Sequence, residues 1–184
     1  PGEECLHLYY PAPYQPTVLE TIQAHLPAAK MLYGHVSFGI HQLLGIEGKY
    51  LTFLRNPIAR VISLYNHHAR DPDMPYYTAI QEGMTLLDLL EGEITPETNN
   101  HIVRILTCNG QLGMLDDTSA LQQAIENINR SFRFVGLMEQ FTESVTRLGQ
   151  LLGWQTPLEI PYINVDPLKT PQTIDAQTQA ALER

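Results

Sequence analysis

The stretch KYLTFLRNPIARVISLYNHH, residues 49–68, decides the fold of this chain. Its first six residues are rich in aromatic and aliphatic side chains, which predicts a strand over residues 49–54. Asn56 and Pro57 follow at the positions where a helix places its N-cap and its first-turn proline. Apolar residues then recur at helical spacing at Ile58, Val61, Ile62 and Tyr65. The stretch is therefore predicted to be a strand, a tight turn and a helix.

Two polar side chains stand where such a turn would bind a ligand, since open α/β sheets bind ligands at the carboxyl ends of their strands. Arg55 lies at the end of the predicted strand, and Ser63 lies on the helix that follows. A second turn of the same kind follows the short apolar run at residues 29–33. There a predicted helix over residues 36–44 is preceded by His35. His35 thus occupies the same kind of position as Arg55.

The rest of the chain alternates predicted strands with longer helical segments. Residues 1–15 are expected to be irregular, and residues 132–137 to form a strand. Apolar periodicity and proline or glycine stops predict helices at residues 16–26, 86–90, 96–109, 117–129 and 141–152. In the last two helices the residues expected to face inward are Leu121, Ile125, Ile128, Phe141, Val145, Leu148 and Leu152. This alternation predicts a helix-rich α/β fold in three layers, with a mainly parallel sheet flanked by helices.

Length and composition bound the possible functions. With 184 residues and 43% hydrophobic content, residues 1–184 are expected to form one domain. The net charge of -9 comes from 20 acidic against 11 basic residues, which argues against nucleic acid or a polyanionic membrane surface as the main partner. No apolar stretch reaches the roughly 18 to 20 residues that a membrane helix needs, so the chain is expected to be soluble. Cys5 and Cys108 are expected to be two free thiols or one disulfide.

Three motifs together resemble a family of enzymes, the sulfotransferases that use 3'-phosphoadenosine 5'-phosphosulfate. The motifs are LRNPIARVIS at residues 54–63, YGHVSF at residues 33–38 and FVGLMEQF at residues 134–141. The closest branch is the carbohydrate group that includes the heparan sulfate and dermatan/chondroitin 2-O-sulfotransferases. The resemblance implies a fold similar to that of the P-loop nucleotide-binding proteins. It also implies an O-sulfotransferase that transfers a sulfuryl group to a hydroxyl of a carbohydrate or small acceptor.

The resemblance also implies roles for individual residues. Arg55 and Ser63 match the ligands of the 3'-phosphate, since a guanidinium holds phosphate by a bidentate, charge-assisted pair and a hydroxyl donates one more bond. His35 matches the catalytic base of the 2-O-sulfotransferase branch, and an imidazole with an ordinary pKa of ~6.5 suits the deprotonation of an acceptor hydroxyl. Lys169, in the stretch INVDPLKTP at residues 163–171, matches a loop that closes over the nucleotide in relatives.

Other matching positions have more than one explanation. Asn100 and Arg104 fall in a segment that often faces the acceptor cleft in the family. Arg60 matches a frequent arginine of the family motif, although a solvated or ion-paired helix residue explains it equally well. Glu139 also matches the family pattern and is expected to be structural, near the start of its helix, where a carboxylate is favoured.

Three further histidines are expected to be structural. His41 lies on the predicted helix that follows His35. His67 and His68 end the predicted helix of the opening stretch, and neighbours in sequence point apart on a helix, so a paired metal site is not expected there. A cation near the carboxyl end of the helix is the simpler explanation.

One element of the family pattern is missing from this sequence. The sulfotransferases cradle the 5'-phosphosulfate in a loop with a lysine and small hydroxyl residues. No GxxxxGK[ST] motif occurs, and no lysine-glycine-threonine cluster precedes His35. Either the native amino-terminal portion lies upstream of Pro1, or the protein is a degenerate relative. Two alternative functions therefore stay open: a non-catalytic nucleotide- or glycan-binding relative, and a small-molecule kinase.

The expected partners are 3'-phosphoadenosine 5'-phosphosulfate as co-substrate and a hydroxylated acceptor, with no metal. Relatives that act on heparan-like chains need many basic residues to bind a polyanion, and this chain has few. A less charged glycan or a small hydroxylated molecule is therefore the favoured acceptor. The expected compartment is the cytoplasm, or the Golgi lumen for a eukaryotic protein that has lost its amino-terminal part.

Overall fold

The computed structural model describes residues 5–8, 15–92, 94–107, 117–154 and 174–184. The strands are β1 Cys5–Leu8, β2 Met31–Gly34, β3 Tyr50–Leu54 and β4 Phe132–Leu137. The helices are α1 Pro16–His25, α2 Ile40–Leu44, α3 Pro57–Arg70, α4 Tyr77–Gln81, α5 Leu86–Glu91, α6 His101–Leu106, α7 Asp117–Ser131, α8 Phe141–Leu152 and α9 Ala176–Leu182. Short 3-10 turns occur at Leu26–Ala28, Pro96–Thr98 and Met138–Gln140. The chain is thus a helix-rich α/β protein, as predicted.

The described strands form two small sheets. β1 pairs in parallel with β2, and β3 lies beside β4 in a second two-stranded sheet. The parallel pairing agrees with the predicted strand arrangement, whereas the three-layer arrangement around one sheet stays a prediction. The chain divides into two compact units, one of Pro1–Thr52 and Asn100–Phe134, the other of Phe53–Asn99 and Val135–Arg184. The single domain expected for residues 1–184 also stays a prediction.

The core of the first unit lies between the β1–β2 pair and two helices. Leu8 of β1, Ile22 of α1, and Ile40 and Leu44 of α2 form its buried centre. Because side chains alternate across a strand, the opposite face of the pair carries Tyr33 and its cross-strand partner His7, and Tyr33 is 42% exposed. One face of this sheet is therefore buried against helices.

Strand β1 was not predicted, because residues 1–15 were expected to be irregular. Its four residues, CLHL, are too few to show a clear alternation of apolar and polar side chains. The strand is recognisable only through its partner, since Cys5 aligns with Met31 and Leu8 with Gly34. The prediction was therefore wrong over Cys5–Leu8, where a distant strand supplies the hydrogen bonds.

Helix α7 buries a different face from the predicted one. Leu121 and Ile125 were expected to face inward, yet each is 50% exposed. The buried residues are Ala120, Ala124 and Asn127. The Asn127 amide donates a hydrogen bond of 2.8 Å to the carbonyl oxygen of Leu106, the last residue of α6. Small side chains and this buried hydrogen bond allow α7 to pack closely on α6, and they decide which face is inside.

The second unit is organised around α3. Asn56 caps this helix as predicted, since its side-chain oxygen accepts a hydrogen bond of 3.0 Å from the Ala59 N–H. α3 contacts α4 and α5, and α9 packs on α5. Within α8, Leu148 is buried as expected, while Phe141 and Leu152 are 37% and 43% exposed. Gly153 ends α8 with a φ of 68°, as its place after the apolar pattern predicted.

Two predicted helices are shorter than expected. The helix expected over residues 36–44 begins only at Ile40, after an irregular segment that ends at Gly39. The helix expected to begin at Pro96 is interrupted. Pro96–Thr98 form a 3-10 turn, Asn100 has a φ of 47°, and α6 begins only at His101. Asparagine tolerates this left-handed conformation better than most residues.

None of the described helices has both the length and the apolar character that crossing a bilayer requires. Cys5 is a free cysteine that is partly exposed. Cys108 lies outside the described residues. Cys5 therefore follows the free-thiol expectation.

Candidate functional site

The turn between β3 and α3 is held by three hydrogen bonds to Asn56. Its backbone N–H donates to Glu139 Oε1 over 2.8 Å. Its side-chain oxygen accepts from the Ala59 N–H over 3.0 Å, and its carbonyl oxygen accepts from the Arg60 N–H over 2.9 Å. Asn56 is thereby fixed on both sides, so Arg55, the residue before it, leaves β3 in a defined direction.

The two residues expected to bind a 3'-phosphate keep their polar groups available. Arg55 and Ser63 are both partly buried. Within the described part of the chain, neither side chain has a hydrogen bond or an ion pair. Ser63 lies about 9 Å along the helix axis from Pro57, at about 1.5 Å per residue. A guanidinium and a hydroxyl with unused donors are suited to an anionic ligand.

Glu139 is the neighbour of this turn that the sequence did not reveal. It lies in the 3-10 turn Met138–Gln140 that precedes α8, and its carboxylate reaches across 83 residues to the Asn56 N–H. That hydrogen bond lowers the pKa of Glu139, and its own backbone N–H and the positive charge of Arg55 lower the pKa further. Glu139 is therefore ionised at neutral pH. Its expected structural role stands, with the turn before α3 as its contact.

A weak signal of this contact exists in the sequence. Glu139 follows β4 by two positions, and Arg55 follows β3 by one. Since β3 and β4 lie side by side, residues just beyond their ends are candidates for contact. The pairing of these strands was the missing information.

His35 follows β2 and is anchored through its backbone. Its N–H donates a hydrogen bond of 3.0 Å to the carbonyl oxygen of Leu8 at the end of β1. Gly34, immediately before it, has a φ of 129°, and a Cβ there would lie 2.0 Å from the same oxygen. Only glycine fits this approach, because both the backbone conformation and the space exclude a side chain. The His35 side chain is exposed.

The segment after His35 is linked to the helix that carries Arg104. The Phe38 N–H donates a hydrogen bond of 2.8 Å to the carbonyl oxygen of Ile105 in α6. Asn100 is exposed at the start of α6, and its carbonyl oxygen accepts a hydrogen bond of 2.9 Å from the Arg104 N–H. His35, Asn100 and Arg104 thus belong to the first unit.

The predicted site residues are therefore divided between the two units. Arg55 and Ser63 belong to the second unit, with Glu139. Lys169 and the rest of residues 163–171 lie outside the described residues. Residues 9–14, between β1 and α1, also lie outside them, and their sequence YYPAPY contains no lysine, glycine, serine or threonine. The sequence of this connection is therefore unlike a phosphate-binding loop.

His41 and Arg60 are bound to other side chains of the protein. His41 Nδ1 lies 2.7 Å from the Tyr50 hydroxyl, which confirms the structural role expected of this histidine. Arg60 forms an ion pair of 2.9 Å with the Glu97 carboxylate and donates a second hydrogen bond, also of 2.9 Å, to the Glu97 carbonyl oxygen. Of the explanations for Arg60, the ion-paired helix residue is the one observed.

His68 differs from the cation expected at the end of α3. It is buried, and its Nδ1 accepts a hydrogen bond of 3.4 Å from the Tyr76 N–H. Burial lowers the pKa of His68, and the charge of His67 lowers it further, against smaller opposing effects of Glu97 and Asp71. An acceptor nitrogen carries no proton, so the geometry and the pKa both favour a neutral imidazole.

Comparisons of the whole chain with known proteins give no match. No family model, no curated protein and no solved structure matches this chain. Among the described residues there is no group of three or more histidine, cysteine, aspartate or glutamate side chains that could hold a metal ion. The candidate chemistry of the chain therefore lies at its two strand-end turns. One presents a guanidinium that binds no side chain or backbone group of the described residues, and the other presents an exposed imidazole.

Proposed function

We propose that this chain is part of an O-sulfotransferase that transfers a sulfuryl group from 3'-phosphoadenosine 5'-phosphosulfate to a hydroxyl of a carbohydrate or small acceptor. One observation carries the proposal. Arg55 is held at the end of β3 by a turn with three hydrogen bonds, while its guanidinium has no hydrogen bond or ion pair with any described residue. A guanidinium that starts from a fixed turn, and whose five donors bind no described residue, suits a doubly charged 3'-phosphate. Ser63, further along α3, supplies a hydroxyl donor.

In the proposed reaction His35 accepts the proton of the acceptor hydroxyl. The acceptor oxygen forms a bond to sulfur as the bond between sulfur and the bridging oxygen of the 5'-phosphate breaks. Adenosine 3',5'-bisphosphate leaves with the electron pair of the broken bond. Arg55 and Ser63 hold the 3'-phosphate of the nucleotide throughout.

Asn100 and Arg104 are proposed to contact the acceptor. The hydrogen bond from the Phe38 N–H to the Ile105 carbonyl oxygen supports this, because it joins the segment after His35 to the helix that carries Arg104. The net charge of -9 favours a weakly charged glycan or small molecule over a polyanion. Lys169 is proposed as a further nucleotide contact.

Nucleotide binding is tested by calorimetry with the full-length protein. Adenosine 3',5'-bisphosphate is expected to bind more tightly than adenosine 5'-phosphate, which lacks the 3'-phosphate. Arg55→Ala removes charge-assisted hydrogen bonding worth at least about 1.5–3 kcal/mol, so it is expected to weaken the bisphosphate by at least roughly 10- to 100-fold. Ser63→Ala is expected to weaken it by about tenfold.

The control for Arg55→Ala is Arg147→Ala, which removes an exposed arginine paired only with Glu143 on α8 among the described residues. It is expected to leave both affinities unchanged. Equal binding of the two nucleotides by the wild-type protein would contradict the proposed 3'-phosphate site.

Turnover is tested separately with the sulfated nucleotide and a panel of neutral and acidic sugars. His35→Ala is expected to lower kcat by about 10²- to 10⁴-fold, the usual contribution of a general base, while the affinity for the bisphosphate is kept. Full activity in this variant would remove His35 from the mechanism.

A second candidate is a relative that binds the nucleotide or a glycan without turnover. A full-length sequence that has no phosphate-loop lysine upstream of His35 would favour this candidate. It predicts bisphosphate binding that depends on Arg55, with no transfer to any acceptor. A preference for ATP with magnesium over the sulfated nucleotide would instead indicate a small-molecule kinase.

A further inference from the structure

Glu139 stands out because it is an exposed carboxylate with a specific backbone partner far away in sequence. Its Oε1 accepts the Asn56 N–H over 2.8 Å. Asn56 is the residue directly after Arg55, and its other two hydrogen bonds belong to the first turn of α3. Among the hydrogen bonds of the described residues, the bond from Glu139 ties this turn to the part of the chain after β4.

The segment that carries Glu139 is itself fixed. The Ser144 hydroxyl accepts a hydrogen bond of 2.9 Å from the Leu137 N–H and donates one of 3.2 Å to the Leu137 carbonyl oxygen. Ser144 is buried on α8. The end of β4 is therefore attached to α8 on both sides of the 3-10 turn, which gives Glu139 a rigid base.

An apolar contact joins the same two segments. The rings of Phe53 and Phe141 lie 5.6 Å apart between centroids and are tilted by 50°. Phe53 precedes Arg55 by two residues, and Phe141 follows Glu139 by two. The strand end before α3 and the start of α8 are thus packed together by rings and joined by one hydrogen bond.

The charge of Glu139 has two opposing effects on the binding of a phosphate at Arg55. An ionised carboxylate near the guanidinium attracts it and restricts its orientation, and the same carboxylate repels an incoming phosphate. Because Arg55 has no direct ion pair with any described residue, its donors are not used up by Glu139. The hydrogen bond to Asn56 is therefore the main contribution of this carboxylate.

We infer that Glu139 is a positioning residue of the proposed nucleotide site, which holds the β3–α3 turn so that Arg55 is presented to the 3'-phosphate. This inference rests on the proposed function for its ligand, and on the structure alone for the link between Glu139 and Asn56.

Two variants separate the hydrogen bond from the charge. Glu139→Gln keeps an oxygen that can accept the Asn56 N–H and removes the charge, whereas Glu139→Ala removes both. We expect Glu139→Ala to weaken adenosine 3',5'-bisphosphate by about tenfold in calorimetry and to reduce its preference over adenosine 5'-phosphate. Glu139→Gln is expected to stay within about threefold of the wild-type affinity.

The control is Glu143→Ala, a carboxylate on the first turn of α8 whose partner is Arg147 at 2.7 Å. It is expected to leave both nucleotide affinities unchanged. Unchanged nucleotide preference in Glu139→Ala would overturn the inference, because a purely structural carboxylate lowers stability without changing that preference. Tighter bisphosphate binding by both Glu139 variants would also overturn it, because the main effect of Glu139 would then be to repel the phosphate.

Hydrogen exchange at the Asn56 amide tests the link without any ligand. This amide is expected to exchange about tenfold faster in Glu139→Ala than in the wild-type protein and in Glu143→Ala. If the wild-type protein does not bind the bisphosphate, the proposed function fails, and faster exchange still supports the role of Glu139 in the turn. Equal exchange in all three proteins would overturn that role.

Discussion

The two strand-end turns at Arg55 and His35 look alike in sequence and are built differently. At Arg55 the turn follows local rules, since Asn56 caps α3 with its own side chain and the helix begins at Pro57. At His35 the turn depends on a second strand, because the His35 N–H bonds to Leu8 and Gly34 leaves room for the Leu8 carbonyl oxygen. The helix after His35 begins five residues later, at Ile40. The cap and the helix start of the first turn are thus encoded nearby, with one added hydrogen bond from the distant Glu139, whereas the second turn requires a partner strand.

The two turns are therefore expected to respond differently to substitution. A turn held by its own helix cap loses one local hydrogen bond when the cap is removed. A turn held by close approach of two strands loses strand pairing when a side chain is added. The following predictions test that distinction.

The largest effect is expected from Gly34→Ala. Its Cβ would lie 2.0 Å from the Leu8 oxygen and would require a φ of 129° that L-residues rarely adopt. We expect a loss of about 3 kcal/mol in the free energy of unfolding, measured by urea titration.

The control is Gly45→Ala, which also has a positive φ, of 66°, but has no atom within 4 Å of the added Cβ. It is expected to cost about 1 kcal/mol, from backbone strain alone. Equal losses in the two variants would show that the approach of the two strands is not what requires glycine at Gly34.

A smaller effect is expected from Asn56→Ala, which removes the side-chain oxygen that accepts the Ala59 N–H. We expect a loss of about 1 kcal/mol in urea unfolding, the usual value of an N-cap. Asn66→Ala, on the same helix and without a side-chain hydrogen bond to any described residue, is expected to change stability by less than about 0.5 kcal/mol. If Asn56→Ala were as stable as the wild-type protein, the side-chain cap would not be what holds this turn.

Arg60→Ala tests whether the body of α3 is also held by a distant partner. Arg60 is 22% exposed and makes two bonds to Glu97, so we expect a loss of about 1 kcal/mol. The pair formed by Arg147 and Glu143 is 70% and 57% exposed, and Arg147→Ala is expected to cost about 0.3–0.5 kcal/mol at most. Thermal unfolding of both variants at two salt concentrations distinguishes them, because salt screens the exposed pair more strongly.

The smallest effect is expected at the other end of α3, as a dependence of stability on pH. Burial lowers the pKa of His68 in the folded state, so between this pKa and the unfolded value of about 6.5 the unfolded chain binds more protons. The free energy of unfolding is therefore expected to fall as the pH falls through about 6.5. Above that pH His68 is neutral in both states, so it causes no such loss. Urea titrations at several pH values between about 7.5 and 5.5 measure it. A slope in His68→Asn as steep as in the wild-type protein would contradict the assignment.

Several elements followed from neighbouring residues alone. The sequence predicted strand β4 at residues 132–137 and helix α8 at residues 141–152, and both have these bounds. It also predicted the Asn56 cap and the glycine that ends α8. These features depend on hydrogen bonds and backbone conformations within a few residues, which is why local residue types indicate them.

Other elements did not follow from the sequence for an equally physical reason. β1 has only four residues, and its pairing with β2 joins positions 26 residues apart, such as Cys5 and Met31. The prediction for the buried face of α7 was wrong, because Ala120, Ala124 and Asn127 are buried instead, and the Asn127 amide bonds to the Leu106 carbonyl oxygen of α6. Periodicity identifies a helix, but it cannot say which neighbour the helix will meet.

The sequence by itself determined that a strand, a capped turn and a helix present Arg55 and Ser63, because the cap, the proline and the apolar spacing act within one short stretch. Only the tertiary structure decided that Glu139 reaches Asn56 from 83 residues away, and that Gly34 must admit the Leu8 oxygen. Those contacts depend on which backbones meet after folding. The residues flanking each contact do not identify its partner, because that depends on which strands pair.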